Sequence, residues 1–315
     1  MWRSSATTER KCKMQAPMRF IQPDWPAPAQ VRAVFTTRAG GVSAAPFDSL
    51  NLGNHVNDSA DCVARNRALL QQAIAAQPVF LQQVHGVAVA RLQAGSHDGT
   101  AADESGGTLA GGAGSIIVAD ACTTTQRGAA CTIMVADCLP VFFTDHAGSF
   151  VAAAHAGWRG LLGQGGVGVL EAVYQSFRPE VHVFTAQPAI KNVAPSLAIN
   201  DIIAWLGPCI GPQQFEVGAE VRAAFVAQQP GAAQHFVKLD SDSEGAANSA
   251  EKYLANLPAL ARSRLQALGI TQIYGNDGSD AWCTVSNPLQ FFSHRRDAAR
   301  LGSTGRMAAC IWLAD

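Results

Sequence analysis

The chain has 315 residues, 48% of them hydrophobic and 15% charged, with a mean hydropathy of +0.07. That balance supports a full buried core and excludes a disordered or fibrous protein. A formal net charge of -1 exerts no chain-wide pull on nucleic acid or an anionic membrane, so basic residues are read locally. Eight cysteines, at Cys12, Cys62, Cys122, Cys131, Cys138, Cys209, Cys283 and Cys310, lack the density and spacing of a disulfide framework, which favours a reduced, cytoplasmic setting. No apolar run is long enough to span a bilayer, and the opening MWRSSATTERKCK has charge but no apolar segment of the signal-peptide kind. Residues 1–30 are set apart as a partly disordered N-terminal extension, and residues 31–315 are read as one domain.

Along the chain, VRAVFTT at 31–37 is β-branched and apolar enough for a buried strand, with the glycines of RAGGVS turning the chain after Arg38. Residues 59–76 place Val63, Leu69, Leu70, Ala73 and Ile74 at helical spacing, with Asp58 or Ser59 as N-cap. VFLQQVHGVAVARL predicts two short strands meeting at Gly86, which puts His85 at a strand end or turn. Residues 94–115, rich in Gly, Ala, Ser and Asp, predict a mobile surface loop. CTIMVADCLPVFFTD and FVAAAHAGWRG read as adjacent buried strands turning at 145–149, bringing Cys138 and His155 together. A glycine-rich entry to a helix follows Arg159. Residues 185–200 look like a proline-interrupted insertion, VGAEVRAAFVAQQ and residues 250–268 have helical spacing with Gly269 as terminator, and the tail ends in an apolar strand. The expected class is α+β: a single domain with mixed β-sheets flanked by helices.

His85, Cys138 and His155 form the leading chemical constellation, because two imidazoles and a thiolate are a zinc ligand set that leaves a fourth position for water or substrate. Their spacing is no compact signature, so a core cysteine with two hydrogen-bonded histidines fits it equally well. A Cys-His nucleophile built on Cys138 is a further alternative. Arg38, Arg159, Arg295 and Arg296 stand beside turns or run ends, where a guanidinium can clamp anionic oxygens, or simply be solvated. Asp137 and Asn51 can orient a ligand or cap a segment. Cys209, Cys283, Trp158 and Phe292 read as core or pocket wall.

Taken in order, TTRAGGVS, SLNLGNHVND, QQVHG, VADCLPV, HAGWRG, LGPCIGPQQFEVG, CTVSNPLQFFSHRRD and STGRMAA resemble one family across nearly everything from Val31 to the C-terminus. It is the bacterial purine nucleoside phosphorylase family formerly labelled multicopper polyphenol oxidase or laccase-domain proteins, also described as peptidoglycan editing factors. The resemblance implies that His85, Cys138 and His155 are zinc ligands. It also implies phosphorolysis of adenosine, inosine, guanosine and methylthioadenosine, with adenosine deamination as a second activity. On that reading Cys138, Arg159 and Arg38 serve catalysis, Asn51 and Arg296 bind substrate, and the partners are a nucleoside and phosphate, not nucleic acid or membrane. The older laccase label predicts many copper-binding histidines, but the eight here include no His-x-His pair. A Cys-His amidase editing peptidoglycan precursors is the rival enzyme, and a zinc-stabilised binding protein the rival non-enzyme.

Overall fold

The two-residue alternation of the C-terminal run shows how the layers are built. Met307, Ala309, Ile311 and Leu313 enter one core, Ala308, Cys310 and Trp312 enter another, and all seven side chains are buried. A strand covered on both faces reads as a continuous apolar run, as this one does. The computed structural model describes residues 16–93, 116–177, 201–240 and 251–315, and the backbone of 101–102 and 108–109. The expected insertion at 185–200 and most of the expected loop at 94–115 lie outside the described residues.

The N-terminal half contains β1 (Phe20–Ile21), β2 (Val31–Thr36), α1 (Ala60–Ile74), β3 (Gln77–Phe80), β4 (Val89–Arg91), β5 (Ala101–Ala102), β6 (Thr108–Leu109), β7 (Ala121–Thr124), β8 (Ala129–Val135), β9 (Leu139–Asp145) and β10 (Val151–Ala156). Then follow α2 (Trp158–Leu162), α3 (Val169–Phe177), β11 (Ile202–Leu206), β12 (Glu216–Gly218), α4 (Ala219–Gln228), β13 (Phe236–Lys238), β14 (Lys252–Ala255), α5 (Leu257–Ala267), β15 (Gln272–Gly275), α6 (His294–Leu301) and β16 (Met307–Leu313).

Among the described residues there are three sheets. One runs β1-β2-β16-β8-β3, a second β15-β11-β9-β10-β7-β4-β5-β6, and a small third β12-β14-β13. The first two are mixed: β3 is parallel to β8, β4 to β7 and β15 to β11, while the other pairs described in them are antiparallel. They face each other across a shared core that includes Ile133, Phe142, Ala153, Trp205 and Ile311. Phe142 stacks on Trp205 with ring centroids 5.3 Å apart, a contact of about 1 kcal/mol beyond simple burial. α1 covers the outer face of the first sheet through Leu70 and Ile74, and α3 and α5 cover the outer face of the second.

This is the expected α+β class with mixed sheets flanked by helices. No helix among the described residues is long and apolar enough to cross a membrane. Ahead of Val31, β1 pairs with β2 and Trp25 packs on the inter-sheet core. Two expectations change. The helix expected over 250–268 starts only at Leu257, because Lys252–Ala255 is taken up as the central strand of the third sheet. The run CTIMVADCLPVFFTD is two strands belonging to different sheets, and the chain passes from one to the other at residues 136–138.

Candidate functional site

That passage builds the site. Asp137 adopts φ +90° as the chain leaves β8, and Cys138 follows immediately before β9. The chain makes a second passage between the same sheets from β3 to β4, and His85 sits in it at φ +61°. Positive φ at two non-glycine residues costs free energy that the surrounding contacts must offset. His155 comes from β10, whose register sets it opposite Pro140, two residues beyond Cys138. The three side chains therefore meet at one end of the inter-sheet space.

Their ligand atoms lie within 4.8 Å of one another. Cys138 Sγ and His85 Nε2 are 3.6 Å apart, the edge of about 3.6 Å that tetrahedral zinc spans between a sulfur and a nitrogen ligand. The two imidazoles meet edge to face at 4.7 Å. Gly157 permits this crowding, since a Cβ there would stand 2.9 Å from Cys138 Sγ and 2.9 Å from His85 Cδ2. Donor types, distances and the room left by Gly157 all fit a metal ion held by these three residues.

Asp120 organises the cluster and went unnoticed in the sequence. Fully buried, its carboxylate accepts hydrogen bonds from Val84 N (3.1 Å), His85 N (2.9 Å) and Gly86 N (2.7 Å), and lies 2.8 Å from His155 Nδ1. One carboxylate thus shapes the His85 turn and orients the His155 ring, leaving Nε2 for a metal. Burial alone would raise the Asp120 pKa, but the hydrogen bonds from His155 and from the Gly86 and Val84 amides outweigh it and lower it. Burial also opposes charge on Cys138 and His155, yet their mutual attraction prevails. The neighbouring imidazoles lower the thiol to about 6, and the thiolate together with Asp120 raises His155 to about 9. Without an ion the pair is a thiolate and an imidazolium at neutral pH.

The cluster opens into a cavity of about 400 Å³ whose walls include Trp158, Arg159, Phe215, Arg295 and Arg306. Of the arginines read from sequence, Arg159 reaches this cavity, stacked 4.4 Å over the Trp158 ring. Arg295 also lines it but donates to the Gln214 and Glu216 carbonyls. Arg38 and Arg296, expected to serve catalysis and substrate, do not line the cavity. Arg38 bonds the Asp48 and Pro288 carbonyls and pairs with the Asp48 carboxylate. Arg296 spends its guanidinium on Asp297 and on the carbonyls of Thr284, Val285 and Phe291. Asn51 is buried behind the site, bonded to Gly53, Asp58 and the Arg306 amide. Asp137 lines the cavity, but its carboxylate accepts from the Thr284 hydroxyl and the Arg295 amide, an anchoring role at the start of α6. Phe292, Cys209 and Cys283 are core residues. Arg306 is a second residue missed in the sequence; its position after a glycine and beside a strand start was the available signal.

With cluster and cavity defined, the chain can be set beside known proteins. The signature of the family described as multi-copper polyphenol oxidoreductase laccase spans residues 32–314, and the chain belongs to that family. It is 42% identical over 296 residues to a Pseudomonas aeruginosa protein named purine nucleoside phosphorylase, covering 94% of this chain and 99% of the relative. The Escherichia coli purine nucleoside phosphorylase YfiH is 41% identical over 297 residues, with the same coverage of 94% and 99%. Among solved structures, Neisseria meningitidis protein NMB0706 superposes with a TM-score of 0.71 at 40% identity, over 94% of this chain and 99% of its own. YlmD from Geobacillus stearothermophilus gives a TM-score of 0.71 at 28% identity, over 96% and 99%.

Proposed function

We propose that the chain is a zinc-dependent purine nucleoside phosphorylase of the cytoplasm, acting on adenosine, inosine, guanosine and methylthioadenosine, with adenosine deamination as a second activity. The observation that carries this reading is the convergence of His85, Cys138 and His155 at the mouth of a cavity of about 400 Å³, within the range that small-molecule sites occupy. The names of the full-length relatives support the nucleoside substrate and phosphate as its partner.

His85, Cys138 and His155 would hold the ion, and bound zinc supplies a Lewis acid at the cavity wall. The remaining work falls to side chains. Asp120 keeps His155 oriented and the His85 turn in place. Trp158, Phe215, Ile210 and Leu257 form apolar walls that exclude water around the glycosidic bond. Arg159, free of any carboxylate partner among the described residues, offers its guanidinium to anionic oxygens.

The test is turnover by protein of measured zinc content, given adenosine or inosine with and without phosphate, beside a Cys138→Ala variant. Phosphate-dependent release of free base that disappears in the variant is expected. No turnover of any purine nucleoside would overturn the reading. The depressed thiol of Cys138 beside a protonated His155 favours a second reading, a Cys-His amidase acting on peptidoglycan precursors. A thiolate nucleophile would cleave a precursor-peptide amide after chelation of the metal and lose that activity on alkylation, whereas the phosphorylase reading expects no amide cleavage in either state.

A further inference from the structure

Arg306 is held in place from several directions. Its amide donates to Asn51 Oδ1 at 2.9 Å, and its carbonyl accepts from Leu52 N at 3.1 Å. Gly53 leaves room for the side chain, since a Cβ at that position would stand 2.7 Å from Arg306 Cγ. The outcome is a half-buried arginine lining the cavity of the metal cluster.

Its hydrogen bonding is only partly satisfied. Nη1 donates to the Thr304 and Gly305 carbonyls at 3.0 and 3.2 Å, while Nε and Nη2 have no acceptor and no carboxylate pairs with the group among the described residues. Asp137, the nearby acid, has committed its oxygens to Thr284 and the Arg295 amide. Among the described residues no buried side-chain nitrogen or oxygen lacks a partner, so these open donors reach the solvent of the cavity, where an anion can accept from them. Surrounding charge points the same way: His55, on the cavity wall, has its pKa lowered by burial and then by the positive charges of Arg306 and Arg67. By contrast every guanidinium nitrogen of Arg38 and Arg296 already has a protein acceptor.

We infer that Arg306, with Arg159, forms the subsite for the phosphate co-substrate, placing a tetrahedral oxyanion in the same cavity as the metal cluster. This rests on the phosphorylase reading for its physiological ligand. The unused Nε and Nη2 edge of one guanidinium suits the forked geometry of phosphate, and Arg159 adds a second positive charge with no carboxylate partner among the described residues.

Isothermal titration of zinc-loaded protein with inorganic phosphate, in the absence of nucleoside, tests the subsite without turnover. The variants are Arg306→Gln, Arg306→Lys and, as an exposed control on β2, Arg32→Gln. We expect phosphate affinity to fall about tenfold or more in Arg306→Gln, to recover in part in Arg306→Lys, and to hold in the control. In kinetics the KM for phosphate rises while that for the nucleoside stays within about twofold. Wild-type-like phosphate binding by a folded Arg306→Gln protein would overturn the inference, as would no phosphate binding by the wild type. Adenosine 5′-monophosphate in the same titration separates free phosphate from phosphate carried on a substrate. Weaker Arg306-dependent binding of the nucleotide is expected, and much tighter binding would overturn the assignment to free phosphate. Arg306-dependent phosphate binding without nucleoside turnover would sink the phosphorylase reading and leave the anion subsite standing; turnover with an unchanged phosphate KM in Arg306→Gln would do the reverse.

Discussion

The cavity beside His85, Cys138 and His155 and the groove lined by Arg38, Asp48, Arg296 and Asp297 are both rich in charge, but they differ in what the charges have left to do. In the groove the Arg38 and Arg296 guanidiniums end on protein acceptors, and Arg296 alone reaches three carbonyls and both oxygens of Asp297. In the cavity, two imidazoles and a thiolate share no bound partner beyond one another and Asp120, and Arg159 and Arg306 pair with no acid among the described residues. The same residue types therefore brace the fold in one place and remain available to a ligand in the other. Unspent coordination and hydrogen-bonding capacity is what separates them.

Acidification would sharpen this contrast most. Below about 9 His155 carries a proton that a metal must displace, and below about 6 Cys138 carries another. Between those values one proton leaves for each ion bound, so zinc affinity falls by about tenfold per pH unit, or roughly a thousandfold from pH 9 to pH 6. Calorimetry in buffers of different ionisation enthalpy measures the proton count, and zinc binding with no release at pH 7.5 would contradict the thiolate–imidazolium pair.

The next largest effect falls on Asp120. Asp120→Asn keeps the size of the side chain but loses the charge facing His155, and zinc affinity should drop about 10- to 100-fold in a competitive chelator titration. An unchanged affinity would mean that Asp120 only shapes the His85 turn. Gly157→Ala pushes a methyl group against Cys138 and His85 and should weaken zinc by about tenfold, with about 1–3 kcal/mol of overpacking cost in urea unfolding. Arg296→Gln should leave zinc content and nucleoside KM untouched while lowering unfolding stability by about 1–3 kcal/mol through its lost carbonyl and Asp297 bonds. A rise in KM without loss of stability would place Arg296 at the substrate after all.

Much of this architecture could be read from the chain. Apolar runs of five to seven residues mark the strands buried on both faces, and the spacing of Leu70 and Ile74 marks α1. Lys252–Ala255 escaped because a strand of four residues leading straight into a helix carries too little periodicity to separate it from that helix. In sequence a guanidinium beside a turn, as at Arg38 and Arg296, looks the same whether it is solvated or its acceptors come from a substrate or from Pro288, Phe291 and Asp297.

Local sequence by itself determined where the long apolar strands and α1 form and that His85, Cys138 and His155 offer zinc-compatible donors, because both follow from side-chain chemistry and short-range pattern. Tertiary structure alone decided that β8 and β9 belong to different sheets, that the passages between sheets carry His85 and Cys138, and that Asp120 joins His85 to His155. Those contacts connect residues more than thirty positions apart, and no local pattern encodes which buried carboxylate meets which imidazole, or which guanidinium is left with donors to spare.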